Sequence, residues 1–340
     1  MAKYTTEVIT DKNSWEKFIL SQKPYSFLQS WAWGETNQKT GATIFRLGFK
    51  KDGKLAGVCL LIKENAKRGP HLIIPGGPII SWQAKKLVEI FVSTVKALAK
   101  EENCWFIRIR PEIRDSEESQ KLFKNLGCIP APMHLHAENT WILDISKSEE
   151  ELLAEMRKST RYLIKKSLNL NLNLEISQDP KSANILFDLQ KETAKRHKFI
   201  GFPQKLFESE IESFAEDNTA AVFICRKDKT VLAAAIIIFY NDTAYYHFSG
   251  STSNFSEIPF SYFLQWQIIK EAKKRGINYY NFWGIAPKGN SKHRFAGVTL
   301  FKTGFGGERI DWLHAHDLPI STNYWLTYMF ETARRIFRRL

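Results

Sequence analysis

Two stretches of the chain carry the same pattern of polar and apolar positions. FKKDGKLAGVCLLIK (49–63) and CRKDKTVLAAAIIIF (225–239) each pass through a Lys-Asp turn into a continuous apolar run. Turn residues between two strand-like runs, the second uniformly apolar, predict a β-hairpin whose second arm is buried. Asp52 matches Asp228, Leu55 matches Val231, Gly57 matches Ala233 and Ile62 matches Ile238. The correspondence continues downstream. HLIIPGGPI (71–79) and AYYHFSGST (244–252) are strands that break at Gly76 and Gly250. Amphipathic helices follow, QAKKLVEIFVSTVKALAKEENC and PFSYFLQWQIIKEAKKRGIN, and then third strands, WFIRIRPEI and YYNFWGIAP, with Trp105 against Tyr279. The offset is 176 residues at the hairpin turns and 174 at the later pairs, so the spacing barely drifts and duplication of one unit is the reading. Each copy runs helix, hairpin, strand, helix, strand, which predicts a mixed-sheet α/β layer with its active region where strands splay or end.

Between the copies, SKSEEELLAEMRKSTRYLIKKS (146–167) has apolar positions at 152, 153, 156, 163 and 164, a helical spacing, with Ser148 as N-cap and Glu151 three residues on. The domain boundary is therefore expected just before it: a first domain over 1–145 and a second over 146–317. Residues 318–340 hold a last helix. Its apolar positions at 325, 326, 329, 330, 333, 336, 337 and 340 form one stripe, flanked by Arg334, Arg335, Arg338 and Arg339. The stripe is expected to pack back on the first domain, and a helix of this composition can also lie on an anionic membrane. No low-complexity linker separates the domains, so a shared interface with a cleft is expected.

Composition changes the picture in one respect. The 340 residues are 44% hydrophobic and 25% charged, as in an ordinary globular protein, but 49 Lys and Arg against 36 Asp and Glu leave a net charge of +13. That excess favours a polyanionic partner. No window approaches 18 consecutive apolar residues, and the first residues lack the apolar core of a secretory signal, so a cytoplasmic protein is expected. Cys59, Cys104, Cys128 and Cys225 form no CxxC pair and fall in or beside apolar runs, which predicts buried thiols. HLHAEN (134–139) and HAHD (314–317) put two imidazoles on one strand face, but no third ligand stands at a useful spacing, so no metal is expected.

The order of elements is similar to the acetyltransferase-like (GNAT) fold in tandem. YSFLQSWAWGETNQKTG (25–41), PGGP (75–78), MRKSTRYLIKKS (156–167) and G-x-x-x-F-K-x-x-F-G-G (Gly297 to Gly307) together resemble, in order and spacing, the Fem family of non-ribosomal peptidyltransferases. The family's turn usually has Arg in place of the first glycine of PGGP. The resemblance implies transfer of an amino acid from an aminoacyl-tRNA to an amino group on the stem peptide of a lipid- or UDP-linked peptidoglycan precursor, without a cofactor. The 146–175 segment has no room for the coiled-coil arm of some members, so the compact, arm-less kind is implied.

Lys302 matches the family's lysine. The implied role is to stabilise negative charge developing on the aminoacyl ester and to hold tRNA phosphates, with Phe301 as a platform for the terminal base. For the acceptor, the resemblance implies Lys39, six residues after Trp33, and Arg196 in KETAKRHKFIGFP. Tyr246 and His247 fall where the family turns tyrosines toward substrate. Where some members place an aspartate base before proline, this chain has Arg110, which cannot be a base. Arg108 and Arg110 share a strand face suited to phosphate or carboxylate. GFGG is read as a tight turn between strands. Two alternatives remain open. One is a GNAT-type acyltransferase using acyl-CoA, although its [RQ]xxGx[GA] pyrophosphate turn is absent. The other is a non-catalytic RNA- or membrane-binding protein.

Overall fold

The computed structural model describes residues 2–197, 201–290 and 293–338, and of Arg196, His197 and Arg338 the backbone only. Its strands form two mixed sheets. The first has the order Tyr4–Val8, Thr43–Lys51, Lys54–Ala66, Gly69–Pro75, Phe106–Arg110, His316–Pro319, Ile129–Pro130, with Ile79–Ile80 added beside Lys54–Ala66. The second has the order Glu308–Asp311, Asn139–Asp144, Tyr279–Gly284, Thr243–Ser251, Thr230–Tyr240, Ala220–Lys227, Leu172–Ser177.

The hairpins match in detail. Asp52 and Asp228 both sit at positive φ in their turns, at +50° and +52°. The strands slip register between Phe49 and Lys50 in one hairpin and between Cys225 and Arg226 in the other. In each unit a helix then buries an apolar stripe on the sheet: Leu87, Phe91, Val95 and Ala99 of Lys85–Glu101, and Phe263, Ile268, Ile269 and Ala272 of Phe260–Lys274.

The copies differ at their central parallel pair. In the first sheet all positions from His71↔Phe106 to Pro75↔Arg110 are paired. In the second, pairing stops after Thr243↔Tyr279, Ala244↔Tyr280 and Tyr245↔Asn281, although the strands run on to Ser251 and Gly284. The second sheet therefore opens a notch at its centre.

Two compact units result, one of residues up to Glu138 plus those from Asp311, the other Asn139–Ile310. The expected boundaries stood at 145/146 and 317/318. They move because Asn139–Asp144 pairs with Tyr279–Gly284 in the second sheet, while His316–Pro319, expected to lie near the start of the last helix, is a strand paired with Phe106–Arg110 in the first. The 146–167 segment is two helices, Glu149–Glu155 and Lys158–Leu168. Ser148 and Glu151 form the expected capping box, and the chain extends at Met156 because the Arg157 N–H bonds to the Gly304 carbonyl.

The last helix, Tyr324–Arg338, packs on the first unit by its polar face rather than by its apolar stripe. Tyr324, Thr327 and Glu331 are buried, and the Thr327 hydroxyl donates to the Arg68 carbonyl. Beneath them Arg108 donates from Nε and Nη2 to Asp317 at 2.7 and 2.8 Å, and from Nη2 to Glu331 at 2.7 Å. Arg68 closes the network on Glu331 at 2.6 Å. Burial opposes the charge of Arg108, yet its bonds to the two carboxylates outweigh burial and raise its pKa further.

Candidate active site

The family-like lysine is not on a strand. Lys302 lies in the last turn of the helix Ala296–Thr303, only 7% exposed, and its Nζ donates to the Gly284 carbonyl at 2.7 Å. That carbonyl ends the strand bordering the notch. Trp283, one residue before it, holds a positive φ of +64°, costly for a bulky side chain. Its N–H bonds to Asn281 Oδ1 at 2.8 Å, inside the register slip between Asn281 and Gly284. The bulge bends the strand end where it meets the amine. On another side the Tyr246 ring lies 5.9 Å from Nζ. Burial among these groups pulls the Lys302 pKa down to about 7. Burial pushes the hydroxyls of Tyr246 and Tyr280 up, so both remain neutral at pH 7, and Tyr280 donates to Gln265 Oε1 at 2.8 Å.

The helix carrying Lys302 is held at its C-terminal end by Arg157, whose Nη1 donates to the Leu300 carbonyl and Nη2 to Thr303 Oγ1, at 3.1 and 3.3 Å. A cation at free carbonyls suits the negative end of a helix. GFGG does turn the chain tightly, though from a helix into the strand Glu308–Asp311 rather than between two strands. Gly306 and Gly307 take φ of +82° and +93°. A Cβ on Gly307 would stand 2.3 Å from the Ile142 carbonyl oxygen. Gly307→Ala is therefore expected to cost about 2–4 kcal/mol in urea denaturation, since both φ and the backbone contact oppose it. Phe301, half-buried, meets Tyr262 and Phe305 edge-on at 5.0 and 5.3 Å.

Tyr246 and His247, neighbours in one strand, face opposite sides of the sheet, and the strand bulges beside them. Ile237 pairs with Tyr246 and Ile236 with Phe248, which leaves His247 as the extra residue. Tyr246 packs with the core beneath Phe260–Lys274 and faces Lys302. His247 turns to the other helix layer, where Nδ1 meets Glu210 at 2.7 Å and the ring lies edge-on to Trp283 at 5.2 Å. Glu210 is fully buried, and its second oxygen, Oε2, makes no hydrogen bond among the described residues.

The remaining expected residues lie in the first unit or outside the described side chains. Trp33 is buried against Phe27 and His136, and Lys39 closes the same short helix, Trp31–Lys39, half-exposed. Arg108 belongs to the buried network under the last helix. Arg110 is wholly buried at the end of its strand. Glu112, two residues on, comes to it, Oε1 to Nη1 2.8 Å, on the face that alternation along the chain would give it. The Arg196 side chain lies outside the described residues. Of the imidazoles read as a weak metal signal, His314 spans Glu138 and the Ala131 carbonyl with its two nitrogens, and His316 bonds the His314 carbonyl. Among the described residues no group of three or more His, Cys, Asp or Glu could hold a metal ion.

Residue type and spacing alone do not bring Glu210, Trp283, Gly284 and Arg157 beside these groups. Only Arg157 carried a signal, as a basic residue inside the MRKST motif. A carbonyl acceptor and a positive φ on tryptophan leave no trace in residue type.

The model of the FemAB family matches residues 10–225 and 207–332. The lipid II:glycine glycyltransferase of Staphylococcus aureus (strain USA300) is 20% identical, across 86% of this chain and 87% of that protein. Among solved structures, FemX superposes with a TM-score of 0.82 at 19% identity, covering 96% of this chain and all of that one. A tandem GNAT protein from the clavulanic acid biosynthesis pathway gives 0.60 at 8% identity over 94% of this chain and 99% of that one. At these identities the structural likeness speaks for the fold, a tandem of GNAT-like units.

Proposed function

The chain belongs to the FemAB family, and on that premise we propose that it is an aminoacyltransferase that adds an amino acid from aminoacyl-tRNA to the stem peptide of a peptidoglycan precursor. The relative's name, lipid II:glycine glycyltransferase, supports a lipid-linked precursor as acceptor. The observation that carries the reading is Lys302: a buried amine at an open notch between strands, held by one carbonyl and at about pKa 7.

The reaction is aminolysis of an ester. The unprotonated acceptor amine attacks the aminoacyl carbonyl and a tetrahedral oxyanion forms; as the carbonyl re-forms, the carbon–oxygen bond to the ribose breaks, and the proton lost by the attacking nitrogen leaves with the ribose hydroxyl. The ester is already activated, so positioning and charge stabilisation suffice for much of the rate. Lys302, as cation, serves the oxyanion and the phosphates of the tRNA 3′ end, whose negative charge raises its pKa again on binding. Phe301 offers a ring edge and face for the terminal adenine, worth ~1–3 kcal/mol if stacked. In the first unit, Lys39, Trp33 and the buried Arg110–Glu112 pair are the acceptor-side candidates.

Arg157 acts through the helix it caps. Arg157→Ala is expected to lower kcat/KM about tenfold while costing less than ~1 kcal/mol of stability, because only the last turn is loosened. Arg157→Lys, which restores a cation without the fork, should recover part of the rate. The test of the whole reading is transfer of label from a pool of aminoacyl-tRNAs to lipid-linked and UDP-linked muropeptides, with acyl-CoA run in parallel. Label passing only from tRNA is the expected result. Label passing only from acyl-CoA would assign the fold's other chemistry instead.

A further inference from the structure

The last helix inverts the usual arrangement of an amphipathic helix. Its buried positions are Tyr324, Thr327 and Glu331, locked to Arg68, Arg108 and Asp317. Its apolar side chains stand outward: Trp325 is 50% exposed, Leu326 58%, Met329 61%, Phe330 56%, Ile336 70% and Phe337 90%. A contiguous apolar patch on an otherwise folded surface marks a docking site. The polar face is fastened by buried ion pairs, so the apolar face is presented by the fold and is not the product of a loosened helix end.

We infer that this face lies on the surface of an anionic lipid bilayer, with the helix axis in the plane of the headgroups. Charge decides the occupant. The helix carries one acidic residue, Glu331, and it is buried, whereas Arg334 and Arg335 follow beside the stripe. At the hairpin turn that receives Thr327, Lys67 is exposed and Arg68 half-exposed. The charged rim is therefore basic, as binding to acidic headgroups asks. Two copies meeting through the same face would oppose these like charges. The stripe also spreads two aromatic rings, Trp325 and Phe330, beside Leu326 and Met329, wider than the narrow seam of a coiled coil. Among the described residues no helix is long and apolar enough to cross a membrane, so the mode is lying on, not spanning. The inference deepens the proposed function, since a lipid-linked acceptor is found at such a surface.

Flotation of the full chain with phosphatidylglycerol/phosphatidylcholine vesicles, free of any lipid-linked acceptor, tests it. The wild type is expected to float with anionic vesicles, less with pure phosphatidylcholine, and less at high salt. Leu326→Glu/Phe330→Glu should lower the bound fraction about tenfold or more with an unchanged thermal midpoint, because both side chains are more than half exposed. The same variant should transfer to a soluble acceptor at the wild-type rate. Failure of the wild type to float, or equal floating of the variant, overturns the inference. So does a wild-type dimer in sedimentation equilibrium that the variant splits, which would make a second copy the occupant. Flotation and sedimentation read binding alone and not transfer, so the proposed reaction and the membrane face can fail separately.

Discussion

Lys302→Met is expected to lose turnover about 10²–10³-fold while gaining stability, a split that distinguishes a working buried charge from a structural one. The amine titrates at about 7 when folded against 10.5 for an ordinary lysine. Below pH 7 folded and unfolded chains both hold the proton, and the cost of burying the charge is present in full. Between about 7 and 10.5 the unfolded chain binds a proton that the folded chain has released, so the wild type gains stability as pH rises through that window. Methionine fills the same space with no charge. At pH 7 the variant should be about 2–4 kcal/mol more stable, after allowing for the bond lost to Gly284, and the difference should vanish toward pH 10.5. Urea denaturation at pH 6.5 and 9.5 reads the stability; transfer from aminoacyl-tRNA reads the rate. If the cation is the working form, kcat/KM should also fall as pH rises through about 7. A variant with unchanged turnover would remove Lys302 from the mechanism.

Arg108→Ala is expected to cost about 3–5 kcal/mol, because it strands Asp317 and Glu331, both buried, without their shared cation. The last helix should then become the site of earliest proteolysis, since Glu331 is one of its few anchors. A stability loss of this size with the acceptor KM intact would mark Arg108 as the fastening of that helix. A raised KM at unchanged stability would return it to the acceptor site, where residue type and strand face first placed it.

The contrast between these residues shows what could be read without coordinates. Arg108 and Arg110 stand on one strand face by alternation alone, and that much is legible. What Arg108 meets there depends on partners 209 and 223 residues away. The stripe of the last helix was legible too, as was its basic flank. Its direction was not: periodicity identifies an apolar face without saying which face packs inward, and here buried ion pairs reverse the default. Tyr246 and His247 meet different helix layers because neighbours in a strand face opposite sides of the sheet, while the extra residue of the bulge brings His247 to the side of Phe248.

The sequence by itself determined the duplicated unit, the tandem fold, the capping box at Ser148 and the Phe301-Lys302 motif with its glycines, because each rests on local period, turn chemistry or spacing. Only the tertiary structure decided that pairing fails early in the second sheet, that Gly284 receives the Lys302 amine, and that burial brings this amine near neutrality. The reason is physical: dielectric surroundings and hydrogen-bond partners are properties of packed space, assembled from segments that no local pattern connects.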